Sequence, residues 1–195
     1  MPEPSLNWPL SDHRQVEERL IAAYSVGRGY HDLRHLTEVL IRLDELGCAG
    51  DSELVLAAWF HDAVYDGSPG AEDRSAELAE SELAGSGVDV AEVARLVRLT
   101  EHHDPAPDDR RGQALCDADL AILAADPERY REYAAGVRRE YAAYSDADFR
   151  AGRLAVLEEL AGRDALFRTA HAREHWEPTA RANLAREIAG LSASS

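Results

Sequence analysis

The stretch LVLAAWFHDAVYD, residues 54–66, decides how the rest of the chain is read. It opens with an unbroken apolar run from Leu54 to Phe60 and then sets His61 and Asp62 side by side. Asp51 offers a side-chain acceptor to the first turn of a helix, and Gly67 and Pro69 break it, so the helix is expected to reach about Tyr65. A helix apolar all round is buried on most of its circumference. The two ionisable groups at its end then need partners, because an unpaired buried charge is costly. A metal ion satisfies both at once, provided the chain supplies further ligands.

On either side of this stretch the periodicity is helical. Leu33, Leu36, Val39, Leu40, Leu43 and Leu46 recur at the 3.6-residue period in a helix that starts near Asp32 and closes at Gly47. Before it, Asp12 and Gln15 have capping-box spacing ahead of Val16, Leu20 and Tyr24, with Gly27 and Gly29 as the stop. After it, residues 71–84 form an acidic helix anchored by Leu78 and Leu83. Asp89 and Glu92 cap a fifth helix with Val93, Leu96, Val97 and Thr100 on its apolar face, ending at His102-His103. Residues 105–112 read as a loop and 114–125 as a sixth helix.

Asp126 followed by Pro127 opens a seventh helix presenting Tyr130, Tyr133, Val137, Tyr141 and Tyr144. Asp146 is placed to cap an eighth with Phe149, Val156, Leu157 and Leu160, and Pro178 opens a last one with Leu184, Ile188 and Leu191. No β-branched run alternates with period two, and no repeat or long linker divides the chain. The expectation is an all-α fold: one compact helical bundle, a single domain over residues 1–195 with its core at about 11–191 and flexible termini.

At 195 residues the chain can bury roughly 70% of its unfolded surface. Its 45% hydrophobic and 30% charged residues are a globular profile. The net charge of −16 repels phosphate polymers and anionic membrane surfaces, so neither a nucleic acid polymer nor a membrane is expected as partner. A small phosphorylated molecule remains open to it if a metal or local arginines reverse the field in one pocket. Cys48 and Cys116 have no metal-ligand or framework spacing and read as buried free thiols. The N-terminus lacks a basic region followed by an apolar run, and no stretch is long enough to span a bilayer. A cytoplasmic location is expected; the oligomeric state is left open.

The ionisable residues in apolar surroundings form a set. His31 and His35 are four apart, and they share a face if both are helical. His61-Asp62, His102-His103, and Asp117 with Asp119 follow. Each has an ordinary reading when taken alone: a hydrogen-bonded core histidine, a polar helix end, or, for Asp117, a helix N-cap. His13, His171 and His175 sit among polar residues and read as surface. Together, imidazoles and carboxylates are the ligand mix of Mn, Fe, Co, Ni or Zn, and two of each with room for water describe an open octahedral ion. A closed structural zinc site would draw on more cysteines.

At this point the chain resembles a known family. The order His35, His61-Asp62, Asp119 resembles the HD superfamily of metal-dependent phosphohydrolases. The closer likeness is to a bacterial branch with a YHxxxH segment, an xWFHDxVYD segment, an HH pair, a DADLAIL segment and a late GRxxVL segment. These correspond here to Tyr30-His31…His35, Trp59-Phe60-His61-Asp62…Tyr65-Asp66, His102-His103, Asp117-Ala118-Asp119-Leu120 and Gly152-Arg153…Val156-Leu157. The resemblance covers about residues 28–190. It implies an HD-type helical domain in which His35, His61, Asp62 and Asp119 hold one divalent ion, with Mg added to the metals above. It places His102 and His103 where binuclear members hold a second ion, without choosing between them, and makes His31 a supporting or substrate-contacting group. Some nucleotidase members carry a catalytic glutamate just after the doublet; here those positions are Ala63, Val64 and Tyr65, and the first carboxylate is Asp66.

The expected activity is hydrolysis of a small phosphoester such as a nucleotide. The ion would act as Lewis acid and water activator. Asp66, His31 or His103 are the candidates for protonating the leaving oxygen. Arg34 and Arg98 are the candidates for binding phosphate, with Arg110-Arg111 nearby in sequence. Two other readings of the same residues are a metal-dependent hydratase, lyase or di-iron oxygenase, and a non-catalytic module that binds a nucleotide.

Overall fold

A computed structural model describes residues 6–193, and among them every regular element is helical. The ten α-helices are α1 (Arg14–Ser25), α2 (Leu33–Glu45), α3 (Ser52–Phe60), α4 (Ala71–Glu82), α5 (Val90–Leu99), α6 (Arg110–Leu120), α7 (Pro127–Glu140), α8 (Asp146–Gly162), α9 (Ala170–His175) and α10 (Glu177–Ala193). Short 3-10 turns precede α1 at Ser11–His13 and follow α6 at Ala121–Ala124. The expected all-α class is therefore what the chain adopts. The expectation of flexible termini concerns, at residues 1–5 and 194–195, positions outside the described residues; Ser192 lies inside α10, its hydroxyl donating to Ile188 O.

The apolar run does become the centre. Leu54 through Phe60 are all buried, and α3 is packed by α2, α4, α5 and α6. Asp51 caps it by accepting from Leu54 N, as expected. Trp59 is fully buried, meets Trp8 edge-on and donates from Nε1 to Asn7 O. A second apolar cluster gathers Tyr30, Leu123, Tyr130, Tyr133, Val137, Leu157, Phe167, Trp176 and Leu184 from the later helices.

Several boundaries differ from the expected ones, each for a local reason. The central helix ends at Phe60, five residues early, because the carbonyls of Asp62 and Ala63 are taken by Arg28 and the amide of Val64 by Ser75. Asp12 caps nothing: its carboxylate accepts from Ser11, and His13 N closes a 3-10 turn on Leu10 O. Helix α6 starts at Arg110, inside the expected loop, because Asp109 accepts from Gly112 N and is held by Arg95. Ser145, not Asp146, caps α8; Asp146 is paired with Arg138. Val156 is half exposed rather than core. Helix α9 went unread; Thr169 caps it by accepting from Ala172 N.

One segment sets the position of the site. Residues 26–32, between α1 and α2, are bolted to the end of α7 by Glu140. Its Oε1 accepts from the amides of Gly29, Tyr30 and His31 at 2.7–2.9 Å, and its Oε2 from His31 Nδ1 at 2.8 Å. The approach needs two glycines: a Cβ on Gly136 would lie 2.8 Å from Gly29 O, and one on Gly29 would overlap Gly136 O. Burial alone would raise the Glu140 pKa, but the His31 contact and the backbone amides outweigh it and hold it at about 2. A depressed carboxyl pKa contributes stability above its unfolded value that is lost as pH falls through the folded one. Glu140→Gln is therefore expected to lower stability at neutral pH by about 2–3 kcal/mol, the scale of hydrogen bonds to a buried charge. In urea titrations the gap to wild type should close as pH falls from the ordinary glutamate range towards about 2.

Candidate metal centre

Where α3 stops, His61 takes the C-cap position and Asp62 follows it. His35 comes in from the first turn of α2, whose N-cap Asp32 accepts from Arg34 N and His35 N. Asp119 comes in from the last turn of α6. His31 precedes the Asp32 cap, so it shares no helical face with His35.

The four side chains converge. The Nε2 atoms of His35 and His61 are 3.1 Å apart. Asp62 Oδ2 lies 3.1 Å from His61 Nε2 and 3.4 Å from His35 Nε2. Asp119 Oδ1 lies 3.1 Å from His35 Nε2 and 3.6 Å from His61 Nε2. His35, His61 and Asp62 each offer one ligand atom within 4.8 Å of the others, a group that could hold a metal ion; Asp119 adjoins it through the two imidazoles.

The chemistry of the donors fits a cation. His61 Nδ1 is 2.7 Å from Ala58 O, which can only accept, so Nδ1 carries the proton and the neutral ring turns its Nε2 lone pair to the cluster. His35 Nδ1 is 2.9 Å from the Tyr30 hydroxyl, which leaves the His35 Nε2 free to do the same when Nδ1 donates. Asp62 Oδ2 is buried and, among the described residues, has no hydrogen-bond donor when both imidazole Nε2 atoms are unprotonated. Donor atoms around an ion with bonds of about 2.1 Å sit roughly 3.0–3.4 Å apart along octahedral or tetrahedral edges, close to the spacings seen here.

Electrostatics point the same way. Burial pulls the His35 pKa down, but contacts with Asp119 and Asp62 more than reverse this and bring it to about 8. His61 is likewise lowered by burial and raised on balance by the charge of Asp62. Asp62 and Asp119 are raised by burial, yet the charge of His61 and their other imidazole neighbours hold both well below the carboxylate range. The two carboxylates thus draw positive charge into the cluster, as protons or as a metal ion.

The surrounding candidates separate. His103 is at the site: its Nε2 is 2.7 Å from Asp119 Oδ2. Its backbone has φ of 50°, a conformation that costs a non-glycine residue about 1 kcal/mol or more, and Arg163 donates to the carbonyls of His102 and His103. His102 is turned to solvent beside Glu101. His31 stacks on Tyr65 with ring centroids 4.1 Å apart, and its ring lies nearly perpendicular to that of His35. Asp66 is exposed and pairs with Arg74. Arg98 pairs with Asp73 and Glu80 of α4, and Arg111 with Asp51 and Glu53. Asp117 is fully buried and accepts from the amides of Arg168 and Thr169, which makes it an anchor for the segment before α9 rather than the cap of α6. Arg34 pairs with Glu38 and Glu132 and lines a cleft of about 310 Å³ that also has His35 and Asp119 on its walls.

Sequence reasoning passed over Glu140, Arg28 and Arg163, and gave no role to Tyr30. Only Tyr30 carried a signal, an aromatic five residues ahead of a ligand-type histidine. It is buried, its pKa is pushed up chiefly by that burial, and its ring meets Tyr133 edge-on at 4.6 Å. Tyr30 is placed to fix the His35 ring, so Tyr30→Phe should weaken metal affinity about tenfold, the lower range for losing a ligand's hydrogen-bond partner. Cobalt(II) or manganese(II) titration by calorimetry measures it. Because the ion must displace protons from imidazoles, including His35 with its pKa of about 8, apparent affinity should rise with pH towards that value, with protons released on binding. The same titration in buffers of different ionisation enthalpy checks this.

No family model matches the chain, and no curated protein and no solved structure matches it.

Proposed function

We propose that this chain is a metal-dependent phosphohydrolase of the HD superfamily, acting on a small phosphoester such as a nucleotide. The observation that carries this reading is the convergence of His35, His61, Asp62 and Asp119 in a buried cluster, with Asp62 Oδ2 within 3.4 Å of both imidazoles. The ordered likeness of the HD, HH and DADLAIL segments supports the superfamily assignment.

In this reading the four residues are the ligands. A bound divalent ion supplies Lewis-acid polarisation of a phosphoryl oxygen and a water acidic enough to ionise near neutrality. His103 holds Asp119 from its outer oxygen and keeps the other turned to the imidazoles. His31 has Nδ1 committed to Glu140, which leaves Nε2 to hold or move a proton for the leaving group. Asp66 is paired with Arg74 on the surface, so His31 and His103 are the better candidates for that role. The cleft beside His35 and Asp119 has the volume of a small-molecule site and is lined by Arg34, Arg129, Ala118, Ala121 and Ile122. Arg34 is the phosphate-binding candidate, since its exposed pairs with Glu38 and Glu132 contribute little and exchange readily. Arg98, engaged with α4, is set aside for it.

The test is release of phosphate by metal-loaded protein from mononucleotides, dinucleotides, cyclic nucleotides and sugar phosphates. Asp62→Asn should lower turnover by more than about a hundredfold, beyond the usual cost of losing a ligand's supporting partner. Absence of phosphate release across the panel would overturn the hydrolase assignment.

A further inference from the structure

The last turn of α3 ends at the metal centre, and its carbonyls need donors once the helix stops. Ala57 O is taken by His61 N, Ala58 O by the His61 ring, Trp59 O by the Tyr24 hydroxyl and Phe60 O by Ala63 N. Just beyond, the carbonyls of Asp62 and Ala63 both go to Arg28. Nη1 donates to Asp62 O at 2.7 Å and Nη2 to Ala63 O at 3.0 Å. The same guanidinium donates from Nη1 to His31 O at 2.8 Å and from Nε to Ala23 O at 2.9 Å. Its carbon sits 4.7 Å from the Tyr24 ring centre and 5.8 Å from that of Tyr65, the ring on which His31 stacks.

One planar group thus ties together the end of α1, the loop carrying His31 and the His61-Asp62 doublet. All four acceptors are peptide carbonyls. A rigid fork used this way fixes peptide planes. The plane at Asp62 sets the direction of its Cα–Cβ bond, and hence where its carboxylate meets the two imidazoles. Ligand geometry of this kind has to be held within about 0.5 Å. The cation also lies at the negative end of α3, where it is favoured.

We propose that Arg28 is the positioning residue of the metal centre, fixing through backbone carbonyls both Asp62 and His31. The proposal rests on the metal reading of the cluster. Its test is cobalt(II) titration of wild type and Arg28→Lys, read by affinity and by the visible d–d absorption of the bound ion. Lysine keeps the charge on a similar stem but cannot serve four carbonyls in one plane. The expected result is a Kd weakened about ten- to a hundredfold, with an altered band shape and an unchanged far-UV circular dichroism spectrum. A folded Arg28→Lys protein with the wild-type Kd and band overturns the proposal. If Arg28→Lys does not fold, Arg28→Ala is titrated with and without methylguanidinium. Recovery of the wild-type band by the additive supports the proposal, and a wild-type band without it overturns the proposal. Wild-type protein that takes up no cobalt sinks the metal reading itself, a result separable from a variant that binds as well as wild type.

Discussion

Two carboxylates and two imidazoles meet in a space nearly closed to water, and the rest of the molecule is arranged around that constraint. His35 and His61 are buried, and Asp62 and Asp119 keep only a small exposed fraction. Charges in such a place are stable only when opposite charge is supplied and every lone pair is directed somewhere. Three of the outer atoms have partners: His61 Nδ1 meets Ala58 O, His35 Nδ1 the Tyr30 hydroxyl and Asp119 Oδ2 the His103 ring. The inner atoms face one another, Asp62 Oδ2 lying 3.1 Å from His61 Nε2 and 3.4 Å from His35 Nε2. A cluster satisfied outside and acceptor-rich inside is suited to a cation, whether protons or a metal ion.

The two apolar clusters meet at this point. The first is built round α3 and reaches the site through the fully buried Trp59 and Phe60. The second reaches it through Tyr30, whose ring is held by Tyr133. Tyr133 in turn lies under the guanidinium of Arg153, a buried group paired with Glu187, and Tyr130 donates to the same carboxylate. Breaking such a pair on one side leaves a buried charge unmatched, which makes it a rigid support for the face it carries. The orientation of His35 therefore depends on α8 and α10, far along the chain, as well as on its own helix.

The surface explains how a chain of net charge −16 keeps its arginines in place. Between α2 and α7, Arg34 and Arg129 alternate with Glu38 and Glu132 in a closed set of ion pairs. Arg111 joins α6 to Asp51 and Glu53 at the start of α3, and Arg95 holds the Asp109 cap of α6. The exposed pairs among these contribute little each, while the largely buried Arg129 holds Glu38 through two hydrogen bonds.

How much was legible in the sequence follows from what each feature depends on. Helical periodicity, the all-round apolar character of residues 54–60, the helix start near Asp32 and the caps Asp51, Asp89 and Asp126 are local, and each forms where the pattern places it. The four cluster residues were picked out by the likeness to the HD superfamily; apolar surroundings alone left His31, His102-His103 and Asp117 on the same footing. What local pattern could not decide was competition for backbone groups from distant residues. Arg28 ends α3 early by taking carbonyls 34 and 35 positions away, and Glu140 draws the His31 loop to α7 across about 110 positions. The choice between His102 and His103 was of the same kind: adjacent in sequence, they part because Arg163 holds their carbonyls and His103 alone turns its ring to Asp119. The sequence by itself determined most of the helices and the inventory of charged groups. Which of those groups face the cluster was decided only by the tertiary structure, because the carbonyls and carboxylates that direct them lie on other helices.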